Sequence, residues 1–282
     1  MPKYPDKLRR ASGGKPKLRA RRSLSQNFLI DGAIADRMAS ALPVKPGERI
    51  YEIGAGKGFL TERLVAMGAE CRIVEKDRRM VGMLHKKFKR TSTVTIFHAD
   101  VLSLPPEAEP PAESWLYGNL PFGIGHRILQ WAVARSGCWR GAVVTLQREV
   151  VRRLLAQPGD PGRGSVSVWF QAHASGVRLF DIPPRAFYPP PRVTSTVMSI
   201  DFKPETPELA GLEGIDFIVQ IAFAQPRKIL ANNFAHDSRI PAETLNRLRK
   251  DCPDLLAKRA QELETADFAR LAHVLRAHQD VA

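Results

Sequence analysis

A strand pattern leads directly into three alternate glycines at Tyr51-Glu52-Ile53-Gly54-Ala55-Gly56-Lys57-Gly58, and no other stretch limits the fold so tightly. Glycine has no side chain, so a turn made of it between a strand and a helix lets backbone come close to a ligand. The pattern predicts an α/β domain with a strand that ends at a binding turn. The dinucleotide fingerprint would place its third glycine where this chain has Phe59, an offset that disfavours a nicotinamide or flavin enzyme.

From Arg49 to Ile200, short β-branched runs alternate with amphipathic stretches, as in strands joined by crossover helices in a largely parallel sheet. Strands are predicted at Arg49 to Ile53, Cys71 to Val74, Val94 to Phe97, Trp115 to Tyr117 and Ala142 to Leu146. Helical spacing occupies Leu60 to Met67, Arg79 to Lys89, Ile124 to Ala134 and Arg148 to Ala156. Ser165 to His173 and Val193 to Phe202 alternate apolar and polar residues and predict a late antiparallel strand pair at one sheet edge. After a proline-bearing linker from Lys203 to Gly214, helical patterns run through Ile215 to Ala224, Arg227 to Phe234, Ala242 to Arg249, Leu255 to Glu262 and Ala266 to Ala277. The expected organisation is an arm over 1–22, a sheet domain over 23–203 and a helical domain over 204–282.

Charge narrows the partner. The 282 residues carry 43 Lys and Arg against 29 Asp and Glu, a formal +14, which favours a polyanion, with nucleic acid foremost. The arm concentrates it: Lys3, Lys7, Arg9, Arg10, Lys15, Lys17, Arg19, Arg21 and Arg22 stand against the single acid Asp6, with few apolar positions, and the segment reads as a mobile arm. No apolar run follows it and none reaches a membrane span, so a soluble protein is expected. Cys71, Cys138 and Cys252 are far apart, which argues against a disulfide framework or cysteine zinc site and for a reducing cytoplasm. His98, His126 and His173 are too scattered for ligation, so no metal is expected. A chain of this length can stand as a monomer.

Candidate chemistry falls at strand ends. Glu75 closes the run Cys71-Arg72-Ile73-Val74-Glu75, at the separation from the glycine turn where an acid binds both hydroxyls of an adenosine ribose. Asp100 follows the next strand, where a carboxylate can accept from an adenine amino group. Asn119-Leu120-Pro121-Phe122 joins an amide, a backbone carbonyl and a flat ring, which can stack an aromatic base and hold its exocyclic amine. Accepting the amine's hydrogens favours a tetrahedral, nucleophilic nitrogen. The arrangement implies methyl transfer to a nucleobase flipped against Phe122, with Tyr51 or Phe187 as aromatic neighbours.

With Ser25-Gln26-Asn27-Phe28-Leu29 and Phe187-Tyr188-Pro189-Pro190-Pro191-Arg192-Val193 added to these motifs, the chain resembles the rRNA adenine N6,N6-dimethyltransferases, the family of bacterial KsgA and the Erm resistance enzymes, from about Ser23 to Leu275. The resemblance implies a Rossmann-like class I methyltransferase sheet with a small C-terminal all-helical domain. It implies S-adenosylmethionine as donor, held by Asn27, Leu29, Gly54, Gly56, Glu75, Asp100 and Asn119, with Asn119, Leu120, Pro121 and Phe122 catalytic. Gln147-Arg148-Glu149-Val150 and Phe223-Ala224-Gln225-Pro226-Arg227-Lys228 resemble the KsgA branch, which implies dimethylation of adjacent adenosines in 16S rRNA of an immature small subunit. Ser25 and Lys57 are reminiscent of Erm enzymes, which act on 23S rRNA and confer macrolide resistance. A non-catalytic RNA-binding assembly or transcription factor is the third alternative. RNA is expected to meet Arg21, Arg22, Arg148, Arg152, Arg227 and Lys228, mostly through phosphates. Phe122-Gly123-Ile124-Gly125 departs from the commoner Tyr-Asn-Ile-Ser or Thr by removing polar side chains near the base.

Overall fold

The structure, a computed structural model, describes residues 26–203 and 212–276. It contains β1 (Phe28–Leu29), α1 (Gly32–Ser40), β2 (Arg49–Ile53), α2 (Thr61–Ala66), β3 (Glu70–Glu75), α3 (Arg78–Lys87), β4 (Val94–His98), β5 (Ser114–Asn119), α4 (Gly125–Val133), β6 (Trp139–Gln147), α5 (Arg148–Leu154), α6 (Ser165–His173), β7 (Ala174–Ile182), β8 (Phe187–Tyr188) and β9 (Ser195–Phe202). Helices α7 (Leu212–Ala222), α8 (Leu230–Ala235), α9 (Ala242–Asp251), α10 (Pro253–Leu256) and α11 (Thr265–Arg276) follow.

The sheet runs β4-β3-β2-β5-β6-β9-β7. Strands β4 to β6 are mutually parallel, and β9 lies antiparallel to β6. In β2 every residue after Arg49 is buried, as a central parallel strand covered on both faces requires. The core of this unit joins Ile50, Ile73, Tyr117 and Val143 of the sheet to Met38, Leu64 and Leu84 of α1, α2 and α3.

The predicted pair of late strands is half corrected. Val193 to Phe202 does form β9, but Ser165 to His173 is α6, and the strand beside β9 is β7. The alternation of Ser165-Val166-Ser167-Val168 imitates a strand, yet Val168 and Ala172, one helical turn apart, are buried together against α7 and α11. Ser167 fixes the helix start: its hydroxyl accepts from the Gly164 amide at 3.0 Å and donates to the Arg153 carbonyl at 2.6 Å.

Residues divide into two compact units, one ending at Arg148 and including Val177–Asp201, the other made of Glu149–Gly176 and the chain from Phe202 onward. The division therefore does not follow the expected boundary at 203, because 149–176 groups with the helices. The second unit closes its own core over Ile218, Phe234, Leu248, Phe268 and Leu271. The arm over 1–22 and most of the expected linker lie outside the described residues. Among the described residues, no helix is long and apolar enough to cross a membrane.

Candidate active site

Strand order reverses direction between β2 and β5, and in open α/β sheets such a switch point opens a crevice beyond the strands' carboxyl ends. Four candidates stand there in sheet order: Asp100 just past β4, Glu75 ending β3, Gly54 just past β2 and Asn119 ending β5. They line one cavity of about 700 Å³, together with Gln26–Ile30, Glu52, Lys57, Leu120–Ile124 and Tyr188. That is ample for a nucleoside-sized ligand.

The glycine turn and Glu75 form one assembly. Gly56, at φ 56°, donates its amide to Glu75 Oε2 at 2.9 Å, and the Asp77 amide donates to Oε1 at 2.8 Å. A side chain at Gly56 would strike the Phe28 ring at 3.0 Å. A carboxylate has about four acceptor positions, so each Glu75 oxygen keeps capacity for a ligand. Burial raises the Glu75 carboxyl above its ordinary value, against the opposing amides of Asp77 and Gly56. Asp77 is held well below the usual carboxylate range, chiefly by its fork with Arg79, and Gln26 Nε2 donates to it at 2.9 Å, tying the Gln26–Ile30 segment to α3.

Asp100 pairs with Lys76 at 2.7 Å and accepts from the Leu102 amide at 3.1 Å. Burial pushes its carboxyl up, but Lys76, the Leu102 amide and Arg127 together bring it below the ordinary value.

Asn119 reaches this assembly because residue 118 is glycine. At φ 155° Gly118 lies so close to β2 that a Cβ would stand 2.6 Å from the Ile53 carbonyl oxygen. The Asn119 side chain donates through Nδ2 to the Asn27 carbonyl at 2.9 Å, while its Oδ1, shielded from solvent, has no partner among the described residues. Leaving an acceptor buried and unpaired costs about 1–3 kcal/mol, a cost that a ligand donor would remove. Leu120 is buried and donates to the Thr145 carbonyl at 3.2 Å. The Pro121 carbonyl accepts from the Ile124 amide at 3.1 Å, which leaves one of its two acceptor positions.

Aromatic expectations need one correction. Tyr51 is a core residue: its ring stacks on Trp131 at 5.9 Å and its hydroxyl donates to the Ala108 carbonyl at 2.6 Å. Phe122 lines the cavity and meets the edge of the buried Phe187 at 6.4 Å. Tyr188 is the aromatic residue that sequence reasoning passed over. Strands β1 and β8 pair Phe28 with Tyr188 and Leu29 with Phe187, so the period of two buries Leu29 and Phe187 and leaves Phe28 and Tyr188 half-buried on the cavity.

Glu52 was also passed over. It lines the cavity at 1 % exposure, accepts from the Thr61 hydroxyl at 2.6 Å, and is pushed up to about 7, first by burial. Its signal in the sequence was an acid inside an otherwise apolar strand just before the turn.

None of the described basic candidates is among the residues that line the cavity. Exposed Arg148 pairs with Asp181 at 3.7 Å, exposed Arg152 with Glu149 at 3.9 Å, and Arg227 and Lys228 are exposed between α7 and α8. Arg21 and Arg22 lie outside the described residues. Among the described residues, no group of three or more His, Cys, Asp and Glu is arranged to hold a metal ion.

Residues 17–275 match a family described as ribosomal RNA adenine dimethylase. The chain is 34% identical over 267 residues to a Prochlorococcus marinus (strain MIT 9303) protein named ribosomal RNA small subunit methyltransferase A, covering 91% of this chain and 94% of the relative. A Pseudomonas putida protein of the same name is 33% identical over 264 residues, covering 93% of this chain and 97% of that one. Among solved structures, a dimethyladenosine transferase from Plasmodium falciparum superposes with a TM-score of 0.77 at 21% identity, over 86% of this chain and 95% of that chain. The 23S rRNA methyltransferase ErmE gives 0.66 at 23% identity, over 89% of this chain and all of that one. At these identities the two structures speak to the fold.

Proposed function

Because the chain belongs to the ribosomal RNA adenine dimethylase family, we propose that it transfers two methyl groups in succession from S-adenosylmethionine to adenine N6 in rRNA, on adjacent adenosines of an immature small subunit. The observation that carries this reading is one cavity lined together by Asn119, the glycine turn and Glu75, whose carboxylate the turn itself holds. The curated relatives, both named for the small subunit, support that branch over the 23S alternative.

The residues fit such a donor. S-adenosylmethionine, when bound, supplies an electrophilic methyl on a sulfonium. Glu75, steadied by two amides, offers acceptors for ribose hydroxyls, and Asp100 offers one for an adenine amino group. Asn27 and Leu29 close the cavity on the side of the Gln26–Ile30 segment, and the bare backbone of Gly54 and Gly56 leaves room for close approach.

On the acceptor side, an everted adenine stacks on Phe122, with Tyr188 at the rim. Asn119 Oδ1 and the Leu120 carbonyl accept the N6 hydrogens, which favours a pyramidal nitrogen whose lone pair is free to attack, and the one proton that N6 gives up for each methyl gained passes to solvent. Alignment and fixed dipoles supply most of the rate, so no strong general base is invoked. Arg148, Arg152, Arg227, Lys228, Arg21 and Arg22 serve the phosphates, and we assign the enzyme to the cytoplasm as a monomer.

Labelled donor offered separately to immature small subunits, large subunits and naked rRNA, with the modified base mapped, tests the reading. Label at adenine N6 in the small subunit is expected. Label only in the large subunit makes the chain an Erm-like enzyme, and donor binding without transfer makes it an RNA-binding factor.

A further inference from the structure

Among the described residues three lysines line the cavity, and two of them have carboxylate partners: Lys76 pairs with Asp100 at 2.7 Å and Lys87 with Glu62 at 2.9 Å. Lys57 has none among the described residues. Its ammonium lies 5.2 Å from the centre of the Phe28 ring. Its peptide is fixed, since Lys87 Nζ donates to the Lys57 carbonyl at 2.9 Å and to the Gly58 carbonyl at 3.0 Å. Burial pulls the ammonium below the usual lysine value. A half-buried cation without a counter-charge, held in a cavity beside an aromatic face, is a site for an anion.

Strand order says which anion. Sheet neighbours stand about 4.8 Å apart, so the carboxyl ends of β4, β3, β2 and β5 form a row about 14 Å long. Asp100 and Glu75 occupy the first two places and suit a nucleoside's amino and hydroxyl groups. Asn119 occupies the last and suits the methyl acceptor. The loop after β2, which carries Lys57, lies between them, where the amino-acid tail of a nucleoside donor must fall. The tail brings a carboxylate, and an RNA phosphate would instead approach from the acceptor end of the row.

We propose that Lys57 receives the α-carboxylate of the donor's amino-acid tail, an inference that rests on the donor reading above. It makes Lys57 a specificity residue for the intact amino acid rather than for the nucleoside.

Calorimetric titration of the full chain with S-adenosylhomocysteine and with its decarboxylated form, 5′-deoxy-5′-(3-aminopropylthio)adenosine, tests this without turnover. The wild type should prefer the carboxylate-bearing ligand by between about 10-fold and 100-fold, the usual range for a hydrogen bond to a charged group. Lys57→Met should shrink that preference by at least about 10-fold with an unchanged thermal transition, and Lys57→Arg should keep most of it. An unaltered preference in Lys57→Met, with or without weaker RNA binding, overturns the assignment. A wild type that binds neither ligand overturns the donor reading itself, an outcome distinct from the first.

Discussion

Glu52→Gln isolates the energetic cost of one buried carboxyl beneath the glycine turn. Glu52 is 1 % exposed and accepts from Thr61 Oγ1 at 2.6 Å. Burial is the largest influence and raises the carboxyl; Thr61 opposes it, Glu75 adds to it and Lys87 opposes it, leaving a value of about 7 against an ordinary 4.5. A native value above the unfolded one means that the folded chain holds more protons across that interval, so stability falls as pH rises. The contribution is fully present below pH 4.5 and is lost as pH passes about 7. At about 1.4 kcal/mol per unit, the interval amounts to about 3 kcal/mol. Glutamine keeps an oxygen to accept from Thr61 and never ionises. Between pH 4.5 and pH 8 the variant should therefore gain about 3 kcal/mol relative to wild type. Urea midpoints followed by tryptophan fluorescence read this directly, because Trp115, Trp131 and Trp139 lie in the same unit as Glu52. With slopes of about 1–3 kcal/mol per molar urea, the relative shift is about 1 M or more. A difference between variant and wild type that stays constant over that pH range would refute the reasoning.

Three further outcomes are expected. Asn119→Ala should lower single-turnover methyl transfer by about 100-fold or more while S-adenosylhomocysteine binding by calorimetry stays largely intact; near-normal turnover would mean that the amine is activated elsewhere. Phe122→Leu should weaken kcat/KM for rRNA by about 10-fold or more, from the 1–3 kcal/mol typical of a base on an aromatic ring, and Phe122→Tyr should retain it. Deleting Met1–Arg22 should weaken rRNA binding and flatten the slope of log K against log salt; an unchanged slope would make the arm a solubility tag.

The parallel half of the sheet was legible because its strands, covered on both faces, read as short apolar runs such as Ala142–Leu146. Helix α6 was not, since Ser165-Val166-Ser167-Val168 alternates like a strand and only the packing of Val168 and Ala172 against α7 and α11 reveals the helical period. Helix α1 carried a usable sign that went unread: Asp31 caps it, accepting from the Ile34 amide at 3.1 Å. Strands β1 and β8 are two residues each, too short for any periodicity, so the choice between Phe187 and Tyr188 needed their pairing register. Tyr51 was misjudged because nearness to the turn along the chain does not reveal which face of β2 a side chain takes. The pairing of Arg148 with Asp181 was not legible, because the two lie 33 positions apart in sequence.

Gly118 sets a condition on how this scaffold can change. Its missing side chain lets β5 settle against the Ile53 carbonyl, so the place of Asn119 beside the glycine turn is written into main-chain geometry. Any other residue there would have to push the strands apart or abandon φ 155°, and either change displaces Asn119. Change is thereby channelled to cavity-lining positions such as Ile30, Gly123 and Tyr188, which have no part in the contact between β5 and the Ile53 carbonyl.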